Sequence, residues 1–295
     1  MIDRRTFLAA SGAALAAAGC SLRRPPDFDP AVAHNRFEAI RATLGPDARL
    51  GVAALDTGTG RWLTHDADSR YATASTFKLP LAGAILAEVD AGRIKLTDEL
   101  TFSPEDPLDN SPVSAEHIAR GRLDVERLCA AIVRVSDNSG ANLLMRKIGG
   151  PEGLTRFFRS LGDGVTRIDR YELILNSNLP GDPRDTTSPL AMAGLARKLV
   201  VGDALRQDSK ALLAHWMKTS VPGPDRLKAG IPAGWEFGHK TGTGARGAHN
   251  DVGVAWPPGR QPIVIASYQS GGDADGPVRA AAHASVARLV AERFA

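Results

Sequence analysis

The chain has 295 residues, 43% of them hydrophobic and 23% charged, with a formal net charge of +3. That length suits a large core in one or two domains of ordinary globular composition, and the basic excess, without any dense Lys/Arg tract, excludes nucleic acid as an expected partner. The two cysteines, Cys20 and Cys129, exclude a disulfide framework, and no Cys/His cluster has metal-ligand spacing, so neither a metal nor an organic cofactor is implied.

Residues 1–20 have the form of an export leader. Arg4-Arg5, then Thr6-Phe7-Leu8 and a small-residue apolar stretch to Gly19, resemble a twin-arginine signal, with Asp3 where Ser or Thr is usual. The apolar part is too short to span a bilayer as a stable helix. Ala17-Ala18-Gly19-Cys20 resembles a lipoprotein-processing site, where Cys20 would be lipidated, and Ala16-Ala17-Ala18 would serve equally as an ordinary signal-peptidase site. The expected location is periplasmic or otherwise extracytoplasmic, with membrane attachment only through such lipidation. Residues 21–30 read as a Pro-rich linker.

The spacing of Val32, Phe37, Ile40 and Leu44 predicts a helix over 31–44. Strands follow at 50–55 and 61–65, joined by the turn Asp56-Thr57-Gly58-Thr59-Gly60. A buried helix opens at Ser75. Helical patterns then dominate, at 125–135, 142–148, 153–161, 189–201 and 209–217. The longest irregular connection, 174–187, is of the length at which loops are functional or disordered. Strand patterns return at 235–241, 251–256 and 263–267, and 277–294 reads as a terminal amphipathic helix. The layout predicts an α/β (α+β) fold. Residues 31–82 and 221–295 would form an α/β domain, and 83–220 an inserted all-helical domain. Cys129 lies in an apolar helical pattern and reads as a lone buried thiol.

Ser75-Thr76-Phe77-Lys78 opens the apolar run that follows. Residues three apart share a helix face, so the Lys78 amine would reach the Ser75 hydroxyl. A first helical turn also offers free N–H groups to a developing anion. Nucleophile, base and part of an oxyanion site would then occupy one turn. Alone, such a pair is commonplace. Ser136-Asp137-Asn138 alone reads as a helix cap, and Lys240-Thr241-Gly242-Thr243-Gly244 as a strand end with a glycine turn. The three together, in this order, are far more specific. They resemble the motifs of class A serine β-lactamases and penicillin-binding proteins. Arg170-Tyr171-Glu172-Leu173-Ile174-Leu175-Asn176 resembles the Glu-x-x-Leu-Asn segment of the class A omega loop, about 170–185, which Asp185-Thr186-Thr187-Ser188-Pro189 would close.

The resemblance implies a β-lactamase/transpeptidase-like fold. An antiparallel sheet would be flanked by the N- and C-terminal helices, with the helical domain inserted. It also implies hydrolysis of penicillins and cephalosporins through a serine acyl-enzyme. Ser75 would attack the ring carbonyl, and the N–H groups of Ser75 and Thr243 would hold the oxyanion. Lys78, or Glu172 through a water, would take the serine proton, and Ser136 would protonate the leaving nitrogen. Asn138 would bind the acylamide side chain. Glu172 and Asn176 would activate the deacylating water, and Lys240, Thr241 and Thr243 would bind the substrate carboxylate. Arg170 and Asp185 would pair at the loop's base. Repulsion from Lys240 would lower the Lys78 amine.

Some features depart from family subgroups. Ala74 and Gly244 cannot form the active-site disulfide of some carbapenem-hydrolysing members. Ala82 leaves Cys129 without the partner found in some penicillinases. Arg226 is an extra cation for the substrate carboxylate or a surface arginine, and Asn110 stands where many members carry an aromatic ring. The rival readings are a penicillin-binding D,D-peptidase and a non-hydrolytic penicillin sensor. Glu172 argues against the first, and the lack of a signalling segment against the second. A monomer is expected.

Overall fold

The structure, a computed structural model, describes residues 30–103, 106 and 109–295, so the leader and most of the linker lie outside the described residues. Helix α1 (Pro30–Ala42) leads into the hairpin β1 (Arg49–Asp56) and β2 (Trp62–His65). A short β3 (Tyr71–Ala72) precedes a 3₁₀ turn, Ala74–Phe77, that runs directly into α2 (Lys78–Asp90). The helical region comprises α3 (Pro112–His117), α4 (Val125–Arg134), α5 (Asn138–Lys147), α6 (Gly150–Ser160), α7 (Pro189–Ala196) and α8 (Gln207–Lys218). Within it β4 (Glu99–Thr101) pairs with β5 (Arg122–Asp124), and β6 (Thr186–Thr187) pairs with β3. The chain ends with β7 (Glu236–Thr243), β8 (His249–Trp256), β9 (Ile263–Ser270) and α9 (Gly276–Phe294).

The main sheet has the order β2-β1-β9-β8-β7, every neighbour antiparallel. Strand side chains alternate between faces, and here both faces are covered. Val52, Ala54, Ile263 and Ile265 bury against Phe37 of α1 and Val286, Leu289 and Val290 of α9. Ala53, Val252, Val254, Val264 and Ala266 bury in a second cluster with the helices. Burial on both sides explains why these strands read as near-continuous apolar runs. Helix α2 runs through the second cluster, with Leu79, Leu81, Ile85 and Leu86 fully buried. Each such side chain is worth about 1.5–3 kcal/mol, which holds the Ser75–Lys78 turn in place.

Three details differ from the sequence expectations. Val32 is 51% exposed and Ala33, which shares a helix face with Phe37, packs inward in its place, while Phe37 and Leu44 are buried as expected. The helix expected over 189–201 ends its α portion at Ala196 and closes as a π turn, Arg197–Val201. The helix expected from 142 begins at Asn138, because Asp137 caps it by accepting from Gly140 N. Cys129 is a free, buried thiol, as expected.

Candidate active site

Four segments converge at the edge strand β7. The 3₁₀ turn carries Ser75, and Lys78 is the first residue of α2. Gly242 lets β7 lie against this turn. A Cβ there would stand 3.1 Å from Ser75 N, Thr73 O and Thr76 N. Asn250 of β8, opposite Gly242, donates to Ala72 O at 2.9 Å and Thr73 O at 3.2 Å. Thr76 Oγ1 bonds Thr73 O and the Tyr268 hydroxyl. The turn bearing the nucleophile is thus tied to two sheet strands.

Lys78 Nζ is fully buried and donates to Ser75 Oγ at 2.9 Å and to Ser136 O at 3.0 Å. It also donates to Asn138 Oδ1. Its ion pair with Glu172 Oε1 is 2.9 Å long, both side chains having no exposure. Ser75 Oγ lies 3.5 Å from the same Glu172 oxygen. Burial lowers the Lys78 pKa below that of an ordinary lysine, with Glu172 opposing the shift. The expected repulsion falls instead on Lys240, whose pKa lies well below the ordinary value through burial first, then Lys78 and Arg226.

Ser136 has φ +63°, in the left-handed region, and its Oγ accepts from Lys240 Nζ at 3.1 Å. Lys78 Nζ lies 3.5 Å from that Oγ, so both lysines face one hydroxyl. Asp137 serves as the helix cap and also accepts from Ser114 Oγ. Asn138 Nδ2 donates to Asp109 O at 2.7 Å. Asn110 donates to Ser136 O and accepts from Asn138 N, so at this position the side chain supports the loop.

The omega loop is closed at its base by Arg170 Nε and Asp185 Oδ2, 2.5 Å apart. Asp185 Oδ1 also accepts from the N–H groups of Asp169 and Arg170. Glu172 Oε2 accepts from Asn176 Nδ2 at 2.5 Å, while Asn176 Oδ1 is buried without a hydrogen-bond partner. The Glu172–Leu173 peptide is cis.

Thr243, at the exposed end of β7, accepts at Oγ1 from Arg226 Nη2 at 2.8 Å. Arg226 Nη1 donates to Gly242 O and Asn250 O. Arg226 is therefore built into the end of the sheet and is not a free surface arginine. Thr241 is buried, with its carbonyl accepting from Lys240. Ser75, Lys78, Ser136, Asn138, Glu172, Asn176, Arg226 and the Lys240–Thr243 segment are thus brought together at this edge. Sequence reasoning missed Asn142, Asn250 and Tyr268, which touch the loops from behind. Asn142 had one local signal, since it lies one helical turn after Asn138. Among the described residues no group of three or more His, Cys, Asp or Glu side chains could hold a metal ion.

An acyl-transfer centre needs a nucleophile, a buried base beside it, a proton donor for the leaving group and a second carboxylate for water. Each has a candidate here, which defines a serine acyl-transfer hydrolase. The sequence model of the β-lactamase enzyme family matches residues 35–294, and the chain belongs to that family, within its class A. The chain is 42% identical to a β-lactamase of Nocardia asteroides over 98% of this chain and 96% of that one. It is 39% identical to a β-lactamase of Streptomyces albus G over 98% and 96%. An ancestral class A β-lactamase of known structure superposes with a TM-score of 0.86 at 46% identity, covering 89% of this chain and all of that one.

Proposed function

We propose that the protein hydrolyses the ring of penicillins and cephalosporins through an acyl-enzyme on Ser75. The single observation that carries this reading is Lys78 Nζ, 2.9 Å from Ser75 Oγ and 2.9 Å from Glu172 Oε1. One buried amine thereby links the nucleophile to the carboxylate needed for turnover. Lys78, lowered by burial, or Glu172 acting through a water, takes the Ser75 proton as the ring carbonyl is attacked. The N–H groups of Ser75 and Thr243 stabilise the oxyanion. Ser136, faced by both lysines, passes a proton to the leaving nitrogen. Asn138 orients the acylamide side chain, and Lys240, Thr241, Thr243 and Arg226 bind the ring carboxylate.

For deacylation, Glu172 takes a proton from a water that attacks the ester. The free acceptor at Asn176 Oδ1 would take that water's other hydrogen. A stalled D,D-peptidase or sensor would have no use for this second carboxylate.

In the same reading, 31–82 and 221–295 act as the α/β domain and 83–220 as the helical domain, the site lying between them. The leader exports a monomeric protein from the cytoplasm, with Cys20 either lipidated or left unmodified after cleavage at Ala16-Ala17-Ala18. Mass spectrometry of the mature N-terminus distinguishes these two fates.

The test is to mix the protein with excess benzylpenicillin and follow both substrate loss and protein mass. Many turnovers with mostly unmodified protein support the hydrolase. Glu172→Gln should still acylate but accumulate the adduct, with turnover reduced about 10²–10⁴-fold. A stoichiometric burst from the unmodified protein would replace the reading with a sensor or D,D-peptidase.

A further inference from the structure

Behind the cradle assigned to the substrate carboxylate lies a buried pair that the proposed mechanism does not use. Asp251 of β8 has no exposure, and His239 of β7 is 1% exposed. His239 Nδ1 stands 3.0 Å from each Asp251 oxygen, which fixes the rotation of the carboxylate. His239 Nε2 is buried without a partner, so the imidazole makes no other polar contact to explain its place. Asp251 Oδ2 accepts from Leu227 N at 3.1 Å. Leu227 directly follows Arg226, so this bond anchors the segment that carries the guanidinium.

Arg226 itself needs support. Burial lowers its pKa, against which Asp251 is the first opposing charge, followed by Asp225. Its Nε is buried without a partner, while its other nitrogens bridge Gly242 O, Asn250 O and Thr243 Oγ1. A guanidinium held this way, with one donor unmet, has solvent as its alternative. A buried counter-charge and an anchored main chain both oppose that escape.

We propose that Asp251, oriented by His239, is a positioning residue for β-lactam binding that holds Arg226 against Thr243 by anchoring Leu227 and facing the guanidinium with a buried negative charge. The inference rests on the reading of Arg226 as a ligand of the substrate carboxylate. Asp251 touches no substrate atom in this scheme. It acts through Arg226 alone, and a carboxylate is required because an amide would keep an acceptor for Leu227 N but lose the charge.

The experiment is a double-mutant cycle with Asp251→Asn and Arg226→Gln, read by KM and kcat for benzylpenicillin and by the single-turnover deacylation rate. Asp251→Asn should raise KM about tenfold and leave deacylation within about twofold, since a residue that acts on binding alone changes KM without kcat. Arg226→Gln should raise KM at least as much, and the double variant should match Arg226→Gln, because Asp251 has nothing left to position. His239→Gln keeps the charge but frees its rotation, and should raise KM in the same direction by less. It also serves where Asp251→Asn does not fold. An unchanged KM in Asp251→Asn, or effects that add in the double variant, overturns the proposal. If Arg226→Gln itself leaves KM unchanged, the assignment of Arg226 to the substrate carboxylate fails instead, and the positioning role falls with it.

Discussion

Asn142 grips Glu172 by both of its main-chain groups. Its Oδ1 accepts from Glu172 N at 3.0 Å, and its Nδ2 donates to Glu172 O at 3.1 Å. The carboxamide of α5 thus does for the omega loop what a neighbouring strand would do, pairing donor and acceptor of one residue at once. Asn142→Ala would leave both groups unpaired inside the protein, at about 1–3 kcal/mol each. We expect a deacylation rate lowered about 10²-fold, the scale of an ångström-level misplacement of a catalytic group. Acylation should be affected less. Rapid-quench measurement of acyl-enzyme formation and decay separates the two, and equal losses in both steps would contradict the assignment.

Gly242 matters for closeness rather than flexibility. Three backbone atoms of the nucleophile turn stand 3.1 Å from where its Cβ would be, and backbone cannot swing aside as a side chain can. Gly242→Ala should therefore push β7 from the turn, at about 1–3 kcal/mol of overpacking. The acylation rate should fall while the ratio of deacylation rates stays near one, because the omega loop is not touched. Thermal melting alongside acylation kinetics checks both.

His249 and His283 make the fold acid-sensitive. They stack with centroids 5.2 Å apart, and His283 Nε2 lies 3.1 Å from His249 Nδ1. Burial, then Arg226 and Arg279, push His249 down to about 3, and burial, then His249, holds His283 well below the ordinary imidazole. The unfolded chain takes up these protons near pH 6.5, whereas the folded His249 resists until about pH 3. Stability is therefore full above pH 6.5 and is lost progressively as pH falls between those values, by up to about 1.4 kcal/mol per pH unit for each histidine. Urea unfolding at pH 7.5 and pH 5 should show the loss, and His249→Gln should reduce the difference between the two pH values.

The Cβ of Ala74 lies 3.6 Å from where a Cβ on Gly244 would stand. That separation falls within the disulfide range of about 3.5–4.5 Å. The Ala74→Cys/Gly244→Cys variant should form a disulfide in air while buried Cys129 stays reduced. Thiol titration after unfolding, on the protein without residues 1–20, should find one free thiol per chain, and three would show that the two loops are held further apart than they stand here.

Much of this protein was legible in local pattern. The strands β1 and β9 could be read because a strand covered on both faces is largely apolar, and β8 only from Asp251 on, since its buried opening, His249-Asn250-Asp251, is polar. Ser75, Ser136 and Lys240 could be read because each belongs to a short segment whose residue types and order are specific together. Other details were not legible for equally definite reasons. That Ala33 and not Val32 packs inward at the start of α1 depends on what the cluster with α9 and the sheet presents to it. The two-residue strands β3 and β6 have too few residues to carry a period.

The sequence by itself determined the chemistry available: one serine with a lysine one turn on, a second serine before a capping aspartate, and a glutamate in a loop between helices. The tertiary structure alone decided how those groups act on one another. Lys78 has its lowered pKa because packing removes it from water, and Lys240 because packing also brings it near Lys78 and Arg226. Arg226 is part of the sheet's end through bonds to Gly242, Asn250 and Thr243, residues 16 or more positions away in sequence. Spacing along a chain is a local property, whereas burial and charge proximity arise from contacts between residues far apart in sequence.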